Sequence, residues 1–422
     1  MSEKDPNIDS SRRDFLRCAA ALTGTALAGG AAHAAGADAR RYGVSPVHEY
    51  DSGGGSMMYM EGHSMMGVTT QPPGAPADDE VEYREFDMTF DIAEHELLPG
   101  VSFPAFAFNG LVPGPVFRVQ ENDWIKVTVR NNTEEMHTIH WHGVDLIYTM
   151  DGVPMVTQDP VHPNETFVYR FQAKPHGTRF YHCHWGLPLH MMSSLAGAFI
   201  IDSPNDPIRR QWPYTRDYVL VLQEHDIQFT RTHMNALLAG MKRVNKMMEN
   251  RTLTPLTHGF FRRYEDFLKA IEQGGWRPPY TRGNAEFTAI NPTFFTINGK
   301  CFPATIGEHG HLKIRRGENI RIRLINMGIE DHHMHLHGHQ FLKVAEDGNP
   351  LPAPVRLNTI PVTPGKTVDI VVHGDNPGFW DFHDHKELFT RNNGIYPGGM
   401  ITMLEYEDMG PVPYVPSISI NQ

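Results

Sequence analysis

Tyr181-His182-Cys183-His184-Trp185 is the stretch from which the rest of the chain can be read. In an extended strand alternate side chains share a face, so His182 and His184 point one way and Cys183 the other. One short segment can therefore offer a thiolate to a metal on one side and imidazoles to a metal on the other. Only a few covalent bonds separate the two. Later in the chain, Phe382-His383-Asp384-His385 repeats the His-x-His spacing with Asp384 in the place of the cysteine.

The repetition is wider than these two segments. Asn109-Gly110, an alternating strand at Trp124 to Val129, His137-x-x-His140-x-His142-Gly143 and His182-x-His184 occur in that order. The second half gives Asn298-Gly299, a strand at Ile320 to Ile325, His332-x-x-His335-x-His337-Gly338 and His383-x-His385. Short alternating apolar runs punctuated by turn residues indicate strands, and matched order indicates duplication. The expected fold is all-β: two Greek-key β-sandwich domains, at 81–205 and 206–410. Between about 230 and 275 the β pattern breaks. Met234, Leu237, Leu238, Met241, Val244 and Met248 recur at helical spacing there, which predicts a packed amphipathic helical insertion between the domains or within the second.

Composition narrows the chemistry. The chain has 422 residues, 25 His, 21 Met, 3 Cys and a formal net charge of -12. Acidity argues against nucleic acid, which needs a basic surface, and the histidine count points toward transition metals. Ser11-Arg12-Arg13-Asp14-Phe15-Leu16, a mild Ala/Gly-rich stretch and Ala32-His33-Ala34 read as a twin-arginine export signal over 1–34. The expectation is a periplasmic protein with no membrane span. Cys18 lies in that signal, and the remaining two cysteines are too few for a disulfide framework. Residues 35–80 form a Gly/Pro/Ser-rich arm carrying Met57-Met58-Tyr59-Met60 and Met65-Met66, thioethers suited to Cu(I). Residues 411–422 are a tail.

Four His-x-His pairs, 140/142, 182/184, 335/337 and 383/385, place eight imidazoles on strand faces and point to a shared metal cluster. His137 and His190 flank Cys183 in the first copy. Two imidazoles and a thiolate in a trigonal array make the electron-transfer site called blue copper. The second copy has Asp384 for Cys183 and Arg391 near the position of His190, so the thiolate site belongs to the first domain alone. His332 and His339 are expected to back the cluster or lie at the surface. Cys301 is expected to be a small buried residue.

These motifs resemble the multicopper oxidases, the superfamily of laccases and blue copper oxidases built from cupredoxin domains. Two copies with the thiolate in the first are similar to its two-domain branch. The resemblance implies four copper ions per chain: type 1 at His137, Cys183 and His190, type 2 at His140 and His335, and a type 3 pair at His142, His182, His184, His337, His383 and His385. The family's axial position falls on Leu195, non-ligating, with Met191 or Met192 as alternative sulfur donors. The resemblance also implies a homotrimer whose clusters form between neighbouring chains, a closed head-to-tail ring.

Reduction of O2 to water consumes protons. Asp151, in Met150-Asp151-Gly152, stands where the family carries a proton-relay aspartate, and Glu387 follows His385. The expected function is an oxidase coupling oxidation of a small reductant, a phenolic or aromatic compound or Cu(I), to O2 reduction. A copper nitrite reductase and a periplasmic copper-sequestering or resistance protein are the alternatives. The first needs only three histidines at its catalytic copper, and the second leaves the duplicated histidines unexplained.

Overall fold

The computed structural model describes residues 49–51, 75–154, 156–185, 189–231, 290–306 and 311–410. The expected export signal, the methionine clusters of the arm, the helical insertion from residue 232 and the tail from 411 lie outside these residues. The regular secondary structure among these residues is almost wholly β, with only short helices beside it. No helix among these residues is long and apolar enough to cross a membrane.

A short strand β1 (Glu49–Asp51) precedes the first sandwich, which comprises β2 (Tyr83–Leu98), β3 (Val101–Phe108), β4 (Gly114–Gln120), β5 (Trp124–Asn131), β6 (Ile139–His142), β7 (Thr166–Gln172), β8 (Gly177–Cys183) and β9 (Ala196–Asp202). One sheet runs β3-β2-β5-β7 and the other β4-β9-β8-β6. In β5, Ile125, Val127 and Val129 are buried while Lys126 and Arg130 face outward, so strand alternation drives one side into the core. Phe90, Phe108, Phe117, Trp141, Tyr169 and Phe199 fill the space between the sheets, and Cys183 lies within the same apolar core.

The second sandwich repeats the plan with β10 (Arg216–His225), β11 (Phe294–Ile297), β12 (Leu312–Ile314), β13 (Asn319–Asn326), β14 (His332–Leu336), β15 (Phe341–Glu346), β16 (Asn349–Leu357), β17 (Thr359–Val362), β18 (Thr367–His373), β19 (Phe379–Asp384) and β20 (Ile401–Tyr406). Its sheets run β1-β10-β13-β18-β15-β16, with β11 on β10, and β12-β20-β19-β14-β17. Even the register is duplicated. His140 pairs with His182 across β6 and β8, and His335 pairs with His383 across β14 and β19.

The sandwiches are joined face to face. Phe180, Ala196, Ala198 and Ile200 of the first pack with Val219, Val221, Ile325 and Met327 of the second. The Ile320-Arg321-Ile322-Arg323-Leu324 run of β13 reads as a strand with one wet face, yet both faces are buried. The guanidinium of Arg323 donates to both oxygens of Asp217 at 2.7 and 2.8 Å and to Thr178 at 2.8 Å. Arg118 donates to the same Asp217 at 2.8 Å, and Arg321 bridges Asp206 and Asp369. Buried bidentate pairs add little net stability over apolar packing, but they tolerate one geometry only. They fix how one sandwich sits on the other.

Burial alone would raise the Asp217 carboxyl, but the neighbouring Arg323 and Arg118 outweigh it and hold the group well below the usual carboxylate range. A depressed folded-state pKa contributes stability that is present above about pH 4 and lost as pH falls toward the folded value. Asp217→Asn is expected to cost about 3–5 kcal/mol at pH 7, because it strands two buried guanidiniums. The thermal midpoint should drop by several degrees, and the difference from wild type should shrink below about pH 4. An unchanged midpoint at pH 7 would contradict the network's role.

Candidate metal centre

His137, Cys183 and His190 come from three separate places: the entry to β6, the end of β8 and the short helix Leu189–Met192. All three are fully buried. The Cys183 Sγ lies 3.5 Å from Nδ1 of His137 and 3.2 Å from Nδ1 of His190. Each imidazole is turned by a partner on its far nitrogen. Nε2 of His137 donates to Thr133 Oγ1 at 2.8 Å, and Nε2 of His190 donates to Glu135 Oε2 at 3.1 Å. Phe90 stacks on His137 with centroids 4.5 Å apart, and Phe106 wedges against both rings. The Trp185 amide donates to the sulfur at 3.4 Å. A soft sulfur and two imidazole nitrogens converging in a dry, rigid pocket suit copper. Leu195 and Met192 are buried in this same core, whereas Met191 packs instead against the seam between the sandwiches.

One residue either side of Cys183, the chain faces the opposite way. His140, His142 and His182 bring their ring nitrogens within 4.8 Å of one another. The His184 ring lies 5.7 Å from that of His140. His182 Nδ1 donates to the Cys183 carbonyl at 2.9 Å, and His140 Nδ1 donates to the Asp151 carbonyl at 2.8 Å. Such carbonyl partners fix the tautomer and leave Nε2 bare to bind a metal. Burial, reinforced by neighbouring imidazoles, lowers His182 to about 3 and His142 to about 4, so both rings are neutral, the ligating form. The bond from His182 to the Cys183 carbonyl also shortens the through-bond path between the two centres.

The second sandwich mirrors this half-site. Nε2 of His337 and Nε2 of His383 face each other at 3.0 Å. The ring of His335 lies 5.7 Å from His383 and 5.2 Å from His385. His383 Nδ1 donates to the Asp384 carbonyl at 2.9 Å, the counterpart of the His182 bond. His337 and His385 are exposed. Among the described residues, no imidazole of one set of four is in ring contact with one of the other.

His332 is not at the surface but fully buried. Residues three apart on a strand point to opposite faces, so His332 faces the core while His335 faces the half-site, as His137 and His140 do. Its Nδ1 donates to Asp384 at 2.8 Å and its Nε2 to Glu224 at 3.1 Å. Despite burial, these two carboxylates hold His332 above its ordinary value. His339 is buried too, donating through Nδ1 to the His337 carbonyl at 3.0 Å. Cys301 is buried in a small cluster with Leu97, Phe103 and Ile227. Asp151 is half-buried, its Oδ1 3.4 Å from Nδ1 of His140. Glu387 is exposed, with its carbonyl accepting from Thr390 at 3.0 Å. Glu135, Thr133 and Glu224 were not legible as partners of the imidazoles. A carboxylate two residues before His137 was the one available hint.

In the copper-free protein His190 is lowered by burial but raised more by Glu135 and Cys183, to about 10. A raised folded-state pKa contributes stability in full below about 6.5 and loses it as pH rises through the folded value. The thermal midpoint of the copper-free protein should therefore fall between pH 7 and pH 10, and Glu135→Gln should flatten that fall. Equal pH slopes for both proteins would contradict the pairing.

Comparison with known proteins agrees with this geometry. Two family models, both described as multicopper oxidase, match residues 92–206 and 278–396. Copper resistance protein A of Escherichia coli is 28% identical over 354 residues, covering 77% of this chain and 54% of the relative. Laccase-1 of Cryptococcus neoformans var. grubii is 36% identical over 146 residues, covering 33% of this chain and 23% of the relative. The chain spans about half the length of the copper resistance proteins it matches. Among solved structures, the blue copper oxidase from Nitrosomonas europaea superimposes with a TM-score of 0.60 at 31% identity, covering 78% of this chain and 87% of the other. The chain belongs to the multicopper oxidase family.

Proposed function

We propose that this protein is an oxidase that takes single electrons from a small reductant at the His137–Cys183–His190 centre and passes them to O2 at a centre built from the eight paired imidazoles. The observation that carries this reading is the back-to-back arrangement at Cys183. Its sulfur meets two imidazoles on one side, while its carbonyl accepts from a histidine of the half-site on the other. Copper, which cycles by one electron and binds these donors, supplies the redox chemistry, with one type 1, one type 2 and two type 3 ions per chain. Asp151, reaching the His140 ring, is the group placed to move protons toward the imidazole centre. Glu387, exposed beyond His385, is the outer candidate for the same task. Met192 and Leu195 share the core that holds Cys183, and of the two only Met192 would offer the copper a further sulfur donor.

The relatives named for copper resistance favour Cu(I) among the possible reductants, and those named laccase favour phenols. A copper nitrite reductase is the second reading, and it is disfavoured because it leaves most of the eight imidazoles without a task. The twin-arginine segment at Ser11-Arg12-Arg13 supports export of the folded protein to the periplasm.

Two separated half-sites in one chain support a head-to-tail homotrimer, in which each first-sandwich half-site meets the second-sandwich half-site of a neighbour. The exposed side chains agree. Tyr148, 61% exposed, precedes Asp151 at the first half-site, while Leu388 and Tyr396, 70% and 62% exposed, follow His385 at the second. Large exposed apolar groups beside both half-sites mark contact surfaces.

Copper counting with optical and EPR spectra should give four ions per chain, a thiolate band and an EPR-silent pair, together with O2 consumption when a reductant is supplied. Two ions per chain with nitrite reduction would favour the alternative. Shared sites also predict complementation. Chains carrying His140→Ala and chains carrying His335→Ala should each be inactive alone, yet recover part of the O2 consumption when assembled together. No recovery in verified mixed oligomers would contradict a site shared between chains.

A further inference from the structure

The second sandwich keeps the framework of a thiolate centre without the thiolate. Asn131 at the end of β5 donates to the Glu135 and Val161 carbonyls at 2.6 and 2.9 Å, and Asn326 at the end of β13 donates to the Glu330 and Val362 carbonyls, both at 2.7 Å. Thr133 and Gly328 occupy matching positions, each amide donating to the preceding asparagine side chain. His137 corresponds to His332, and Cys183 to Asp384.

Three differences between the copies are coordinated. In the first, Thr133 Oγ1 accepts from His137 Nε2 and from the Glu135 amide. In the second, Gly328 has no side chain, and a Cβ there would collide with the Glu224 carboxylate. That carboxylate fills the vacated space, accepting from His332 Nε2 and from the amides of Ile329 and Glu330. Phe90 pairs with Asn131 and Leu222 with Asn326, so Glu224 stands where the first copy has Ile92. Glycine for threonine, glutamate for isoleucine and aspartate for cysteine together close one buried chain, Glu224–His332–Asp384, with every partner satisfied.

Asp384 also reaches the half-site. Its Oδ1 accepts from the amides of His333 at 3.2 Å and Lys386 at 2.8 Å, and its own amide donates to Met400 at 3.0 Å. Its carbonyl orients the His383 ring, and the His385 amide donates to the His333 carbonyl at 2.8 Å. Asp384 takes part in four of these five bonds along the backbone from His383 to Lys386, two of them through its carboxylate. In the first copy, a metal joining Cys183 to His137 would pin the corresponding segment.

We propose that the Glu224–His332–Asp384 chain stands in for a lost copper site, and that Glu224 and Asp384 are positioning residues which hold His383 and His385 ready for the metal of the second half-site. This rests on the reading of those histidines as ligands in the proposed oxidase.

The test uses the full chain loaded with copper, comparing wild type, Asp384→Ala, Glu224→Ile and the double variant Glu224→Ile/Gly328→Thr. Each single variant should keep the type 1 thiolate band, which reports an intact first sandwich. Each should hold type 2 and type 3 copper about 10–100-fold more weakly, the usual cost of removing a partner behind a ligand. The double variant rebuilds the Thr133 arrangement and should recover much of that affinity. Type 2 and type 3 signals of wild-type strength in both single variants would overturn the inference. So would a double variant no better than Glu224→Ile, whether or not the type 1 band survives. If Asp384→Ala fails to fold, the Glu224→Ile pair decides the matter. A wild-type protein without type 2 and type 3 copper would sink the oxidase reading instead.

Discussion

Strand alternation at three residues is the constraint on which the rest depends. Because Cys183 and its two neighbours face opposite sides of β8, a buried thiolate centre and an imidazole half-site share one peptide segment. Each side needs its own surroundings. The sulfur side needs a dry pocket, which the aromatic core of the first sandwich supplies through Phe90, Phe106 and Trp185. The imidazole side needs neutral rings with one nitrogen free, which burial and the carbonyls of Cys183 and Asp151 supply. Neither requirement is met by the tripeptide alone.

Duplication gives the same backbone twice, and the two copies have been tuned to different ends. Where the first copy converges on sulfur, the second converges on an imidazole held between two carboxylates. The half-site histidines keep the same pairing and the same carbonyl partner in both copies. The chain thus carries the sulfur-centred arrangement once and the paired-imidazole half-site twice. The ion network around Arg323 and Asp217 keeps the two half-sites of one chain at a fixed relation.

Local pattern made the architecture and the ligands readable. Alternation in the Trp124 to Val129 run, the repeated Asn-Gly turns and the four His-x-His pairs each specify their own conformation and facing. The groups that stayed hidden act across long sequence distances. Arg321 and Arg323 alternate with isoleucine as on an ordinary half-wet strand, and only the docking of a second sandwich buries them. Glu224 lies over a hundred residues before His332, so nothing near either one announces the pair. His332 was within reach, because its three-residue offset from His335 already places it on the core face. Whether the half-sites meet within one chain or between two depends on the placement of whole domains, which local pattern does not encode.

The proposed electron route enters at Cys183 and leaves through its flanking histidines to a centre that needs both half-sites. It is tested most directly by reducing the type 1 centre without air, mixing with O2, and following the return of the thiolate band by stopped flow. Wild type should recolour rapidly, whereas His385→Ala, altered only in the second half-site, should stay bleached. Recolouring of His385→Ala at the wild-type rate would contradict the account.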